Sequence, residues 1–176
     1  MICQSMSGDA DSGTSAFTMT GGILTSLSGH MFHVTNTLAV ISLSGVRLVN
    51  EGSDILFSVC DDGWSGASNI AEQNADAQAL AGTVLVGSNS SLTLTPADGS
   101  SFEGTFSGEI INAKGTQVSA EIGTVTVSLD ETSTWTLSRL PPGRPRRKAP
   151  LQAQAKQTKP SSLILPPLFL WICLPV

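Results

Sequence analysis

"SSLTLTPADGSSFEGTFSG", residues Ser90–Gly108, alternates Leu and Phe with small polar residues and is broken once by Pro-Ala-Asp-Gly. A period of two places successive side chains on opposite faces of a β-strand. An Asp-Gly pair accepts the backbone geometry of a tight turn. The stretch therefore predicts strand, turn, strand, with Leu92, Leu94 and Phe102 pointing inward and Asp98 at a corner.

The same pattern returns further along the chain. "SLTLTPADGSSFEG" from Ser91 aligns without gaps on "TVTVSLDETSTWTL" from Thr124, an offset of 33 residues. The matched apolar pairs are Leu92 and Val125, Leu94 and Val127, and Phe102 and Trp135. Self-similarity at a fixed offset is typical of stacked repeats, in which each unit buries its inward row against its neighbours.

Two all-β architectures fit these patterns. The repeat and the Ser/Thr-rich outward rows favour a right-handed parallel β-helix, a solenoid that this chain contains only in part. The alternative is an antiparallel β-sandwich. One segment stands apart, because "NIAEQNADAQALAG" (Asn69 to Gly82) is the best helical candidate and predicts either a short helix or a looped excursion.

The composition changes after Ser138. All 14 acidic residues lie at or before Glu131, whereas seven of the nine basic residues follow Ser138. We therefore predict a β-solenoid domain over residues 1–138 and a basic, Pro-rich, disordered tail over residues 139–176. The apolar end of that tail is short and contains prolines, so we expect no transmembrane helix.

The acidic body and low charge content restrict the partners. Phosphate backbones need Lys and Arg, so we expect no nucleic-acid partner. Only 13% of residues are charged, and Ser, Thr and Gly are abundant, which favours an extracellular or cell-surface protein. The start "MICQ" has no secretory signal, so we interpret the chain as part of a larger precursor.

"CDDGWSG" carries the most suggestive pair of acidic residues. Asp61 and Asp62 are adjacent carboxylates that can bind Ca²⁺ or serve as acid and base, although Asp-Gly also forms ordinary turns. Trp64 is either an exposed platform for a sugar ring or a core plug beneath the loop. We take Asp61, Asp62 and Trp64 as candidate binding residues. We expect no catalytic residue, no metal site and no cofactor, and Ca²⁺ is the one ion that the acidic pair suggests.

The histidines and cysteines indicate no further site. His30 and His33 are the only histidines, and on a strand this spacing places them on opposite faces, which argues against a paired metal site. Cys3, Cys60 and Cys173 are too widely spaced for a disulfide framework or a zinc motif. We expect isolated thiols.

"AFTMTGG", "GHMFHVTNT", "ISLSGVRLVN" and the two repeat units resemble adhesin-like bacterial surface proteins of the right-handed parallel β-helix, or pectate-lyase-like, superfamily. The resemblance covers Ser5 to Ser138. It implies a secreted or wall-displayed, non-enzymatic module that presents a repetitive Ser/Thr/Asn-rich face to extracellular glycans or host surface proteins.

The resemblance also implies an alternative, a polysaccharide-degrading enzyme of the pectin lyase or polygalacturonase type. Polygalacturonases use a paired Asp, a third Asp, a Gly-His-Gly motif and a basic clamp. Asp61 and Asp62 look like the pair, but His30 precedes them, Met31 replaces the second glycine and the clamp is missing. We therefore expect no enzyme, and a third hypothesis is a truncated or frame-shifted product without its own function.

Overall fold

The computed structural model describes residues 1–4, 14–61, 69–112 and 114–138, together with the backbone of 153–157 and 169–172. These residues form strands and connecting turns, and none of them is helical. The strands are β1 (Ile2–Gln4), β2 (Thr14–Thr20), β3 (Ile23–Ser26), β4 (Phe32–Thr35), β5 (Thr37–Ser44), β6 (Arg47–Asn50), β7 (Ile55–Val59), β8 (Asn69–Asp76), β9 (Ala79–Val86), β10 (Ser90–Ala97), β11 (Ser101–Ser107), β12 (Ile110–Ile111), β13 (Gln117–Ser119), β14 (Thr124–Leu129), β15 (Thr134–Leu137), β16 (Ala153–Gln157) and β17 (Phe169–Ile172).

Two large sheets contain most of these strands. Sheet I has the order β1-β4-β7-β9-β11-β15, and sheet II has the order β17-β16-β14-β10-β8-β5-β2. Every neighbouring pair is parallel except β16 with β17. The predicted all-β class with stacked parallel strands is confirmed, and the antiparallel sandwich alternative is wrong for these sheets.

The chain alternates between the two sheets. From β2 to β15 each strand of sheet II leads to a strand of sheet I, and the chain then returns to sheet II beside the strand it left. We call the chain from one sheet II strand to the next a circuit. The first two circuits also form a short parallel pair, β3 with β6, and the β11–β14 connection contains the antiparallel pair β12 with β13.

Residues 33 positions apart in the repeat pair with each other in neighbouring parallel strands. Leu92 pairs with Val125 between β10 and β14, and Phe102 pairs with Trp135 between β11 and β15. The rings of Phe102 and Trp135 stack with centroids 6.1 Å apart. The sequence repeat therefore predicts which residues of neighbouring circuits lie side by side, and this prediction is confirmed in both sheets.

The hydrophobic core lies between the two sheets. In β5, β8 and β10 alternate residues point into it, and Ile41 and Leu43 of sheet II meet Phe32 and Val34 of sheet I in one buried cluster. The predicted inward residues Leu92, Leu94 and Phe102 are buried there. Burial of such side chains contributes roughly 1.5–3 kcal/mol each, which makes the stacked inward rows the main source of stability.

The helical prediction for residues 69–82 is wrong. The segment forms β8 and the start of β9, and along β8 Asn69, Ala71, Gln73 and Ala75 are buried while their neighbours are more exposed. β8 pairs with β5 on one side and β10 on the other. Ladder bonds along both edges outweigh the helical preference of alanine, because propensity is weak compared with tertiary context.

The predicted corner at Asp98-Gly99 is confirmed as a turn. Both residues have positive φ, at 53° and 76°. The backbone N–H of Asp98 donates to the carboxylate of Asp130 at 2.8 Å, and that of Gly99 donates to the Thr132 hydroxyl at 2.8 Å. Hydrogen bonds from Ser133, from the Asp98 backbone and from Thr132 lower the pKa of Asp130 to about 2. The corners of adjacent circuits are thus tied to each other.

Two strands, β16 and β17, lie within the tail, where the sequence predicts disorder. β16 pairs in parallel with β14, and β17 pairs antiparallel with β16. The outer edge of β14 offers unpaired backbone groups, which a further segment can satisfy. Residues 139–152, 158–168 and 173–176 lie outside the described part of the chain, so the predicted disorder there stays a prediction. No helix among the described residues has the length and apolar character of a membrane span.

Candidate functional site

Asp61 lies at the corner where strands of sheet I end. It follows β7 and Cys60, while Gly87 follows β9, and the pairing of Val59 with Val86 brings these two ends side by side. A cavity of about 200 Å³ opens here. This corner pocket is lined by Cys60, Asp61, Gly87, Ser88, Asn89, Ser90, Val118 and Ser119.

A missing side chain keeps the corner pocket open. A Cβ at Gly87 would lie 3.3 Å from the Cβ of Cys60 and 3.4 Å from the Cβ of Ser119. The φ of Gly87 is not in the left-handed region, so backbone conformation does not demand glycine there. The glycine therefore leaves space between Cys60 of the preceding circuit and Ser119 of the following one.

Small polar groups line the corner pocket. The Ser119 hydroxyl accepts the Ser88 N–H at 3.0 Å and donates to the Glu121 carbonyl at 2.9 Å, which fixes its position. The Ser90 hydroxyl is buried and makes no hydrogen bond within the described part of the chain. Asp61 and Asn89 are exposed at the rim. Since none of the described lining residues is basic, the pocket suits neutral polar molecules or cations.

The three predicted binding residues have different outcomes. Asp61 lines the corner pocket, whereas Asp62 and Trp64 lie in residues 62–68, outside the described residues. Among the residues that are described, no three His, Cys, Asp or Glu side chains come together as metal ligands. Ca²⁺ needs six to eight oxygen ligands, and Asp61 is the one carboxylate among the lining residues that the structure describes.

Sequence reasoning missed most of the corner pocket. Gly87, Ser90 and Ser119 belong to later circuits than Asp61, and no motif joins them. Ser119 ends β13 within the β11–β14 connection, and it reaches the pocket because that connection folds back over sheet I. The only local signal is the small-residue turn at Gly87, which resembles many ordinary turns.

The prediction that His30 and His33 point apart is wrong. Their ring centroids lie 5.8 Å apart with an interplanar angle of 62°. His30 precedes β4, so strand alternation does not govern its direction relative to His33. Burial, then the neighbouring His33 and then the N-terminal amine lower the pKa of His30 below its ordinary value of 6.5.

This pKa shift predicts a pH dependence of stability. In the range below pH 6.5 the unfolded chain binds a proton at His30 more readily than the folded chain, so stability should fall as the pH falls through that value. We expect the free energy of unfolding to drop more in the wild type than in His30→Gln between about pH 7.5 and about pH 5.5. Urea unfolding followed by circular dichroism measures both. Equal drops would contradict the prediction.

The outer face of sheet II presents a regular polar surface. Register pairs join Thr18 of β2 to Ser42 of β5, Ser42 to Asn74 of β8, and Asn74 to Thr95 of β10. Thr18, Asn74 and Thr95 are exposed, Ser42 is half-buried, and the Asn74 amide donates to the Ser42 hydroxyl at 3.4 Å. We call these four residues the polar row. Neighbouring strands lie about 4.8 Å apart, so the row spaces hydroxyl and amide groups evenly.

Comparison with known proteins identifies no relative. No protein-family model, no curated protein and no solved structure matches the chain. The class that the structure itself defines is an all-β protein with parallel sheets. Its function therefore has to be argued from the polar row and the corner pocket.

Proposed function

We propose that the described circuits form a right-handed parallel β-helix. The alternation of the chain between two parallel sheets supports this architecture, because each circuit places its strands beside those of the preceding one. Parallel crossover connections are almost always right-handed, which supports the hand. The buried rows between the sheets supply the stacked core that such a solenoid needs.

We propose further that this β-helix is a non-enzymatic, secreted or cell-surface module that binds glycans or proteins through its polar face. The observation that carries the proposal is the polar row. Hydroxyl and amide groups both donate and accept hydrogen bonds, so they match the hydroxyls of a sugar chain. Repetition along the sheet turns weak single contacts into useful avidity for an elongated ligand.

The surroundings of Asp61 support binding over catalysis. A lyase needs a basic residue beside its acids, and neither Arg47 nor Lys114 lines the corner pocket. The acidic body also disfavours anionic polymers such as polygalacturonate, because like charges repel. Neutral glycans are therefore the favoured ligands.

A glycan array probed with the full chain tests the proposed function. Thr18→Val with Thr95→Val removes two hydroxyls of the polar row and keeps side-chain shape. We expect the double variant to bind neutral glycans at least about fivefold more weakly, since each lost hydrogen bond costs about 1 kcal/mol. Thr134→Val, an exposed position on β15 of sheet I, is the matched control. Failure of the wild type to bind any glycan or protein partner, or turnover of a polysaccharide lost in Asp61→Ala, would overturn the proposal.

A further inference from the structure

We propose that the corner pocket binds one neutral or amino-bearing sugar ring, with Asp61 accepting hydrogen bonds from it. This inference rests on the proposed function and gives it a specific subsite. The pocket lies beside the start of β10, and its lining residue Ser90 is the first residue of that strand. A glycan seated in the pocket therefore lies close to sheet II.

The size of the corner pocket fits a single ring. Its volume of about 200 Å³ leaves room for several water molecules. One pyranose ring with its hydroxyls displaces a comparable amount of water, and a disaccharide needs about twice as much. We therefore expect one sugar residue to enter the pocket, while the remainder of a longer glycan stays outside.

The lining supplies the hydrogen bonds that a sugar ring needs. Asp61 can accept from ring hydroxyls, and the side chains of the exposed Ser88 and Asn89 can donate or accept at the rim. The Ser90 hydroxyl, which is 7% exposed, finds no hydrogen-bond partner among the described residues. A buried hydroxyl without a partner costs free energy, and a ligand hydroxyl that reaches it removes the cost.

Charge and apolar contacts narrow the ligand class further. Among the described lining residues Asp61 is the only one that carries a formal charge, so uronic acids, sialic acids and phosphorylated sugars are disfavoured. An ammonium group on an amino sugar gains from the same carboxylate. Val118 and the Cα of Gly87 offer a small apolar surface for the C–H groups of the ring.

Two variants of the full chain probe the corner pocket independently. Asp61→Asn keeps the shape and removes the charge, with Glu131→Gln at an exposed corner as its matched control. Gly87→Val fills the space between Cys60 and Ser119. If circular dichroism shows that Gly87→Val does not fold, the binding of sugars to Asp61→Asn alone tests the inference.

The measurement is saturation-transfer NMR with the methyl glycosides of glucose, galactose and mannose, with glucosamine, and with galacturonate and N-acetylneuraminate. We expect a neutral or amino sugar to bind, about tenfold more weakly to Asp61→Asn and not at all to folded Gly87→Val. The Thr18→Val, Thr95→Val double variant should bind this single sugar normally.

Equal or tighter binding of the two acidic sugars, or unchanged binding in Asp61→Asn, would overturn the inference. If no single sugar binds while larger glycans still need the polar row, the pocket inference fails and the proposed function survives.

Discussion

Replacing Phe57 with alanine is expected to lower the free energy of unfolding by about 3–5 kcal/mol. Phe57 lies in β7, between β4 and β9 of sheet I, and its side chain is fully buried. Its ring stacks on that of Phe32 with centroids 5.0 Å apart and planes 16° apart. Truncation removes buried apolar area and leaves a cavity that the ladders on both sides prevent from collapsing. Guanidinium unfolding followed by circular dichroism measures the loss.

Thr95→Ala is the control for Phe57→Ala, because Thr95 is exposed on the outer face of sheet II. Its expected change is within about 0.5 kcal/mol. Whole domains of this size are stable by only about 5–15 kcal/mol, so Phe57→Ala should be close to the limit of folding. A loss below about 1 kcal/mol would show that Phe57 is not part of a tightly packed core.

Replacing Gln78 with methionine is expected to cost about 2–4 kcal/mol. The Gln78 side chain, 2% exposed, accepts the Val46 N–H at 2.8 Å and donates to the carbonyls of Val46 at 2.7 Å and Ala79 at 2.8 Å. The sheet of β3 and β6 has no third strand. The Gln78 amide therefore bonds the backbone groups of Val46, just before β6, which a neighbouring strand would otherwise pair with. Methionine fills the space and leaves the buried N–H and carbonyl of Val46 without these partners.

The matched control is Gln117→Met, the same chemical change at an exposed position of β13. We expect it to change stability by no more than about 0.5 kcal/mol. Urea unfolding of both variants separates the buried hydrogen bonds from the general effect of replacing glutamine. If both variants lose equal stability, the bridging role of Gln78 is refuted.

Residues Ser90–Gly108 and their repeat were the most predictive part of the sequence. The gapless alignment at 33 residues became the actual register of Leu92 with Val125 and Phe102 with Trp135. It was predictive because strand, corner and strand are local patterns, and stacked strands keep equivalent residues adjacent. Other circuits differ in length: Leu80 pairs with Phe102, whereas Phe102 pairs with Trp135 much further along. A single period is therefore not visible along the whole chain.

The candidate site was predictable only in part. The two adjacent acids predict Asp61 as a binding residue, and the structure places it in the lining of the corner pocket. Gly87 and Ser119 were not proposed, because each belongs to a different circuit and an ordinary local sequence. A pocket assembled from successive circuits depends on which chain ends lie side by side, and no local pattern carries that information.

By itself, the sequence determined the all-β class, the inward rows and the corner at Asp98, because alternation and turn chemistry act between residues close in the chain. Only the tertiary structure decided that residues 69–82 are strands, that His30 lies against His33, and that Asp61 shares a pocket with Gly87. Each of these depends on ladder bonds or packing between distant segments. Such contacts form only when the circuits stack, and their combined free energy exceeds the local preferences that the sequence displays.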